Sequence, residues 1–327
     1  MIGSSILHGQ IQLLERKRKM NEYVIETKQA TKMYGPILAL DHVDIHVKRG
    51  SIYGLIGDNG AGKSTLLKLL AGHTFATSGE ICLFGRCKEK ELQRSRRQIG
   101  ASIEQPGFFP NMTVEKMLEY YRIQKGIPGK GKVEEILKLT GIWEKRKSRC
   151  KNLSLGQKQR LGLSIAMIGE PQLLLLDEPI NGLDPSGIIE LRKLFHRLNE
   201  EKNITILLSS HILSELQQTA DTFGFLSKGQ LMEEISAKNL YEKCTDYLTI
   251  TVSEPEEYAV LLERNFPEEV YKILPDKSIQ ITGPKKEPEA YSRLAAEHNL
   301  DIRGLEKTQA SLEDYYMNLK KGGQEIC

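Results

Sequence analysis

The chain has 327 residues, of which 39% are hydrophobic, 27% charged and 6% aromatic, a balance that suits one large α/β domain with a smaller appended one and excludes a disordered chain. The 46 basic and 43 acidic residues leave a formal charge of +3, and the basic ones fall in short clusters without base-stacking aromatics, so no nucleic-acid partner is expected. No apolar run approaches the roughly 18 residues a membrane span needs, and Cys82, Cys87, Cys150, Cys244 and Cys327 lack metal-ligand spacing, which favours free thiols in a reducing compartment over a disulfide framework or a zinc site.

Residues 1 to 20 read as a weakly ordered extension. Their basic run, Arg16-Lys17-Arg18-Lys19, follows the apolar residues instead of preceding them, the reverse of a secretory signal, and a short amphipathic helix on anionic lipid is the other reading. The recognisable domain begins just after Met20, which leaves that residue open as the original start. Tyr23–Thr27 and Val43–Val47 alternate like half-buried strands on either side of Gly35-Pro36, and an antiparallel edge is expected there. Tyr34 precedes that turn, where its ring could lie over a nucleotide base, although a lone tyrosine beside a turn is more often plain packing.

Strand-like Ser51–Ile56 leads into Gly57-Asp58-Asn59-Gly60-Ala61-Gly62-Lys63-Ser64-Thr65 and then into helix-like Leu66–Leu70. This is G-x-x-x-x-G-K-[ST] in the strand, loop, helix setting that gives it meaning. Glycines let the backbone wrap a polyphosphate, and N–H groups and the positive helix end face the same charge. Gly57, Asn59, Gly60, Gly62, Lys63, Ser64 and Thr65 are therefore the candidate contacts to a nucleoside triphosphate, with Lys63 on the β and γ phosphates and the Ser64 hydroxyl on Mg²⁺.

A short strand is expected over Gly79–Gly85, and Arg94, Arg96 and Arg97 read as solvated helix charges before Ile99–Ile103. The loop Glu104–Thr113, with two prolines and Phe108-Phe109, has the composition of a partner surface. Helices over 113–125 and 132–140 interrupt the strand–helix alternation and suggest an inserted helical subdomain at about 105–168. Its last helix runs from near Leu155 to Met167, and Ser154 and Gly156 present a helix start able to receive an anion. Leu173–Leu176 reads as a parallel strand buried on both faces. Asp177 at its end is the expected Mg²⁺ partner and Glu178 the residue that orients or deprotonates water. Ile204–Ser209 is the next strand, and His211 after it could donate to the γ phosphate; otherwise it is a cap or surface residue.

Beyond Lys228-Gly229 a separate domain is expected at 240–320: a strand over 247–252, a helix over 255–265, strands near 269–274 and 278–282, a helix over 287–298 and a last helix through Leu312–Tyr316. That order approaches a split β-α-β arrangement without convergent His, Cys or carboxylates, so dimer support or regulation is expected of it rather than chemistry.

The spacing resembles the ATP-binding cassette (ABC) family. Leu153-Ser154-Leu155-Gly156-Gln157 stands for its L-S-G-G-Q signature, Pro179–Pro185 for its dimer-contacting D-loop, His211 for its switch histidine and Tyr34 for its adenine-stacking aromatic. The resemblance implies an α/β phosphate-loop ATPase over 21–235, with a mixed sheet core, an antiparallel β edge and the inserted helical subdomain, using ATP and Mg²⁺. It implies a head-to-tail dimer with a second cassette, expected to be another copy, in which Ser154, Gly156 and Gln157 meet the γ phosphate bound by the partner's Lys63. It further implies an ABC-2-type permease and a place on the cytoplasmic face of a bacterial membrane.

Two positions depart from the family pattern. Leu155 replaces the first signature glycine, and Glu104, with Gln105 beside it, stands where a glutamine usually ends the strand before the coupling loop. The latter resembles the subfamily that exports, or confers immunity to, bacitracin and lantibiotics. Glu104 is therefore expected as γ-phosphate sensor and metal ligand, with a slip to Gln105 left open. The implied function is the ATPase subunit of an antimicrobial-peptide exporter. The alternatives are a soluble ABC-type ATPase acting on ribosome or DNA and a nucleotide-dependent regulatory module; Lys63, Asp177, Glu178 and His211 together argue against the last.

Overall fold

In chain order the strands of the first unit are β1 (Tyr23–Tyr34), β2 (Ile37–Val43), β3 (His46–Lys48), β4 (Ile52–Ile56), β5 (Ser78–Leu83), β6 (Ile99–Ser102), β7 (Leu173–Leu176), β8 (Thr205–Ser210), β9 (Thr222–Ser227) and β10 (Gln230–Ser236). The computed structural model describes residues 22–104, 107–129, 131–244, 246–308 and 312–322; the extension at 1–20, Gln105 and Cys327 lie outside them. The chain divides into two units, the first ending at Ala237 and the second beginning at Lys238.

Two sheets build the first unit. One is antiparallel, with order β2-β1-β3 and β5 paired to β1. The other has order β10-β9-β4-β8-β7-β6, parallel throughout except for β10. Every residue of β4, β7 and β8 is buried, as strands covered on both faces must be. The register sets Ile56 beside Ser210 and Leu176 beside Leu208. The C-terminal ends of β4, β7 and β8 therefore deliver Gly57, Asp177 and His211 to one edge of the sheet, where open α/β sheets bind ligands.

Helices Val114–Gln124, Gly131–Leu139 and Leu155–Met167 form the inserted segment. The last of them lies so close to β6 that a Cβ on Gly100 would fall 2.4 Å from the Ala166 carbonyl oxygen. Only glycine permits that approach.

The expectation of five free thiols is corrected. Leu83 and Arg86 exchange backbone hydrogen bonds of 2.9 and 3.0 Å around Phe84-Gly85, both at positive φ, and this tight hairpin turn sets Cys82 opposite Cys87. Their Cα atoms are 4.1 Å apart and the sulfurs are bonded. Cys150 is a buried free thiol.

In the second unit β11 (Tyr247–Val252), a helix (Pro255–Asn265), β12 (Val270–Ile273), β13 (Ile279–Thr282), a helix (Pro288–Glu297), β14 (Ile302–Thr308) and a helix (Leu312–Gly322) follow one another. The sheet is antiparallel, in order β12-β13-β11-β14. Leu248, Ile250 and Val252 pack with Tyr258, Leu262, Ile281 and Tyr291 in one core. β14 is absent from the sequence expectation because Arg303, Leu305, Glu306 and Lys307 are exposed, as on a charged edge strand. With it the unit becomes a complete β-α-β-β-α-β arrangement.

Candidate active site

Gly57 opens the phosphate-loop motif, with its backbone against β9: a Cβ there would lie 2.5 Å from the Leu226 carbonyl oxygen. Gly62 closes it at φ +110°, where a Cβ would meet the Ala39 carbonyl oxygen at 2.7 Å. As N-cap of the Lys63–Ala71 helix, Gly62 supplies no side chain to the first N–H groups, which stay available to an anion. Lys63 is only 5% exposed. Its Nζ donates to the carbonyls of Gly57 (2.7 Å) and Asp58 (3.1 Å) and lies 3.2 Å from Glu178 Oε1, so the buried ammonium is partnered in each direction its three protons can point. Asn59, Gly60, Ser64 and Thr65 belong to this same loop and helix start.

Asp177 leaves β7 with its N–H on the Ser102 carbonyl at 2.9 Å. The buried Ser209 hydroxyl donates to Asp177 Oδ1 at 2.6 Å and accepts the Glu178 N–H at 2.9 Å, setting both acidic residues against β8. Glu178 has φ +49°, a left-handed conformation unusual for a side chain of this kind. Its second oxygen meets His211 Nδ1 at 2.5 Å. Lys63, Asp177, Glu178 and His211 are thus brought together. Behind His211, burial pushes the Glu215 carboxyl above its ordinary value.

Ser154 caps the Leu155–Met167 helix by accepting the Gln157 N–H at 3.3 Å, while the Gln157 side chain accepts the Ser154 N–H at 3.2 Å. Leu155 is 41% exposed and leans on the D-loop stretch: a Cβ on Gly182, at φ +75°, would fall 2.6 Å from Leu155 Cδ2. Gly156 sits against Leu183, whose Cδ2 a Cβ would meet at 3.2 Å. Tyr34 stands at the end of β1, exposed, with Lys32 Nζ 4.8 Å from its ring centre.

Glu104, Phe108, Leu155, Asp177, Glu178 and Asn181 line one cleft of about 620 Å³. The Glu104 carboxylate is paired with Lys68, whose ammonium it holds above its ordinary pKa. Ser209 and Lys68 carry contacts that motif reading does not point to. The only signal for Ser209 is a hydroxyl ending an otherwise apolar strand next to the acidic one. Hard carboxylate and hydroxyl oxygens beside a glycine-rich loop and a buried ammonium fit a magnesium–nucleotide pair.

The ABC transporter family profile matches residues 40–181. A bacitracin transport ATP-binding protein, BcrA of Bacillus licheniformis, is 40% identical over 300 residues, covering 92% of this chain and 98% of its own. The protein of the same name from Enterococcus faecalis is 37% identical over 302 residues, covering 92% and 98%. A lantibiotic transport ATP-binding protein, SrtF of Streptococcus pyogenes, is 39% identical over 211 residues, or 64% of this chain and 90% of its own. Among solved structures, a dimeric bacterial ABC transporter cassette matches with TM-score 0.60 and 26% identity over 65% of this chain and 98% of that one. CbiO1 of Clostridium perfringens, part of the transporter complex cbiONQ, matches with TM-score 0.62 and 25% identity over 76% and 97%. With this full-length likeness and these strand ends, the chain belongs to the ABC transporter family, as an ATP-binding and ATP-hydrolysing nucleotide-binding subunit.

Proposed function

We propose that this chain is the ATPase subunit of a bacterial exporter that protects against antimicrobial peptides. The observation that carries the reading is likeness over 92% of the chain, through the second unit, to bacitracin transport ATP-binding proteins. The carboxylate at Glu104 supports it, because it stands in the cleft of Asp177 and Glu178. Among the described residues no helix is long and apolar enough to cross a membrane; the membrane path is assigned to an ABC-2-type permease, with this chain bound to it on the cytoplasmic face. A second cleft of about 570 Å³, lined by Arg96, Ile103, Tyr121, Lys125 and Ile165, is a suitable seat for a permease segment.

In this reading Ser64 and Asp177, with Glu104, would hold Mg²⁺, which when bound would supply charge neutralisation and Lewis-acid chemistry at the phosphates. Tyr34 stacks on the adenine. Lys63 and His211 clamp Glu178 by contacts of 3.2 and 2.5 Å, and both are donors for which a phosphate competes. As they turn to phosphate, the Glu178 carboxylate is released to orient and deprotonate water. Ser154, Gly156 and Gln157 present a second helix start to the nucleotide held by another copy. Solved relatives described as dimeric support that arrangement.

The test is genetic. Removing the coding region lowers tolerance to bacitracin or a lantibiotic and leaves tolerance to unrelated drugs unchanged; the intact chain restores it and Glu178→Gln does not. Unchanged tolerance to every peptide antibiotic tried would reject the proposed cargo class while leaving the ATPase assignment untouched.

A further inference from the structure

Three carboxylates, Glu104, Asp177 and Glu178, face one cleft. Lys151 and Lys158 also line that cleft, and two other ammonium groups, Lys63 and Lys68, contact its carboxylates; these two are not interchangeable. Lys63 is committed to Gly57, Asp58 and Glu178. Lys68 is paired with Glu104.

Helix pitch makes this placement specific. Lys68 follows Ser64 by four residues on the Lys63–Ala71 helix, so the two share a face about 5–6 Å apart. Helical side chains lean toward the helix N-terminus, which carries the Lys68 ammonium toward the turn that holds Ser64. The Lys68 side chain is 29% exposed and that of Glu104 65%, so the lysine is the enclosed anchor and the glutamate the exposed arm. A neutral glutamine at position 104 would need no such counter-charge.

We propose that Lys68 is the positioning residue for Glu104: it holds the carboxylate beside the helix face that carries Ser64, and competes for it with the metal when magnesium and nucleotide bind. This inference rests on Glu104 being a carboxylate of the magnesium–nucleotide site. Lys68 touches no reacting atom; it sets the availability of a group that does.

The experiment is a Mg²⁺ titration of TNP-ATP binding to the full chain, read by fluorescence without turnover, for the unaltered protein, Lys68→Gln, Lys68→Arg, Glu104→Gln and the double variant Lys68→Gln/Glu104→Gln. Freed from Lys68, Glu104 competes better for metal, so Lys68→Gln lowers the half-saturating Mg²⁺ by about two- to fivefold, the range of an exposed ion pair. Lys68→Arg keeps the pair and stays near the unaltered value. In the Glu104→Gln background the same lysine change shifts the midpoint by less than about 1.5-fold, because only screened long-range charge is left. An equal shift in both backgrounds, or none in either, overturns the role given to Lys68 and leaves the nucleotide site standing. Absence of magnesium-dependent binding by the unaltered chain overturns the site and this inference together.

Discussion

Glu178 is held from two sides, by Lys63 at 3.2 Å and by His211 at 2.5 Å, on a backbone at φ +49°. A carboxylate kept in that geometry can take a proton; an amide cannot. Glu178→Gln is therefore expected to lower hydrolysis by about 10²-fold or more while nucleotide affinity stays within a few-fold. Phosphate release and nucleotide binding measured together check this, and hydrolysis within a factor of two of the original rejects Glu178 as the water-orienting residue. Ser209 makes a different prediction, because its hydroxyl serves both Asp177 and the Glu178 N–H from a buried position. Ser209→Ala leaves both groups unpaired and is expected to destabilise the first unit by about 1–3 kcal/mol, as measured by denaturant unfolding. Loss of less than a few tenths would show that water replaces the hydroxyl. Lys63, Asp177, Glu178 and His211 were legible in the sequence because each sits at a fixed offset from a glycine loop or an apolar strand. Ser209 and Lys68 were not, since their partners are set by register between β7 and β8 and by a helix face meeting a loop.

The Leu155–Met167 helix shows how an element can be stabilised and used by the same residue. Ser154 caps it and Gln157 returns the favour to the Ser154 N–H. Ser154→Ala removes the cap and is expected to cost about 1 kcal/mol in unfolding free energy. Ser154→Asp keeps a capping oxygen, so thermal stability stays near that of the unaltered chain, but it adds a negative charge where an anion is expected. Calorimetry and ATP-dependent association, measured on both variants, separate the two roles; if Ser154→Asp associates normally, the helix start is a cap and nothing more. Elements whose pattern is internal, such as the four leucines of β7 or the alternation of β11, could be read directly from the chain. β14 could not, because an edge strand paired only to β11 has little apolar periodicity to display. The Cys82–Cys87 pair was hidden for a related reason: a spacing of five acquires meaning only when Phe84-Gly85 folds the chain back on itself.

At the scale of the whole molecule, the first unit carries one glycine-rich loop and one capped signature helix, and neither by itself surrounds a triphosphate. Two copies arranged head to tail would place two positive helix starts around one anion, so the γ phosphate itself becomes the glue. Hydrolysis removes that glue, and a chain that binds but does not cleave should keep it. Purified Glu178→Gln is expected to be monomeric without nucleotide and dimeric with ATP and Mg²⁺, and to return to monomer when ADP replaces ATP. Light scattering at tens of micromolar protein decides it. The interlock of Leu155 with Gly182 adds a check internal to the chain, because it ties the signature start to the Pro179–Pro185 stretch, which the proposed dimer would bring to the same interface. Gly182→Ala forces a side chain at φ +75° and a methyl 2.6 Å from Leu155 Cδ2, so this interface should lose its shape before the ATP site loses its loop. The variant is therefore expected to bind nucleotide within a few-fold of the original yet fail to dimerise in the Glu178→Gln background. Normal dimerisation of the double variant would mean that the D-loop conformation does not govern the contact between copies, and that the helix starts alone hold the dimer.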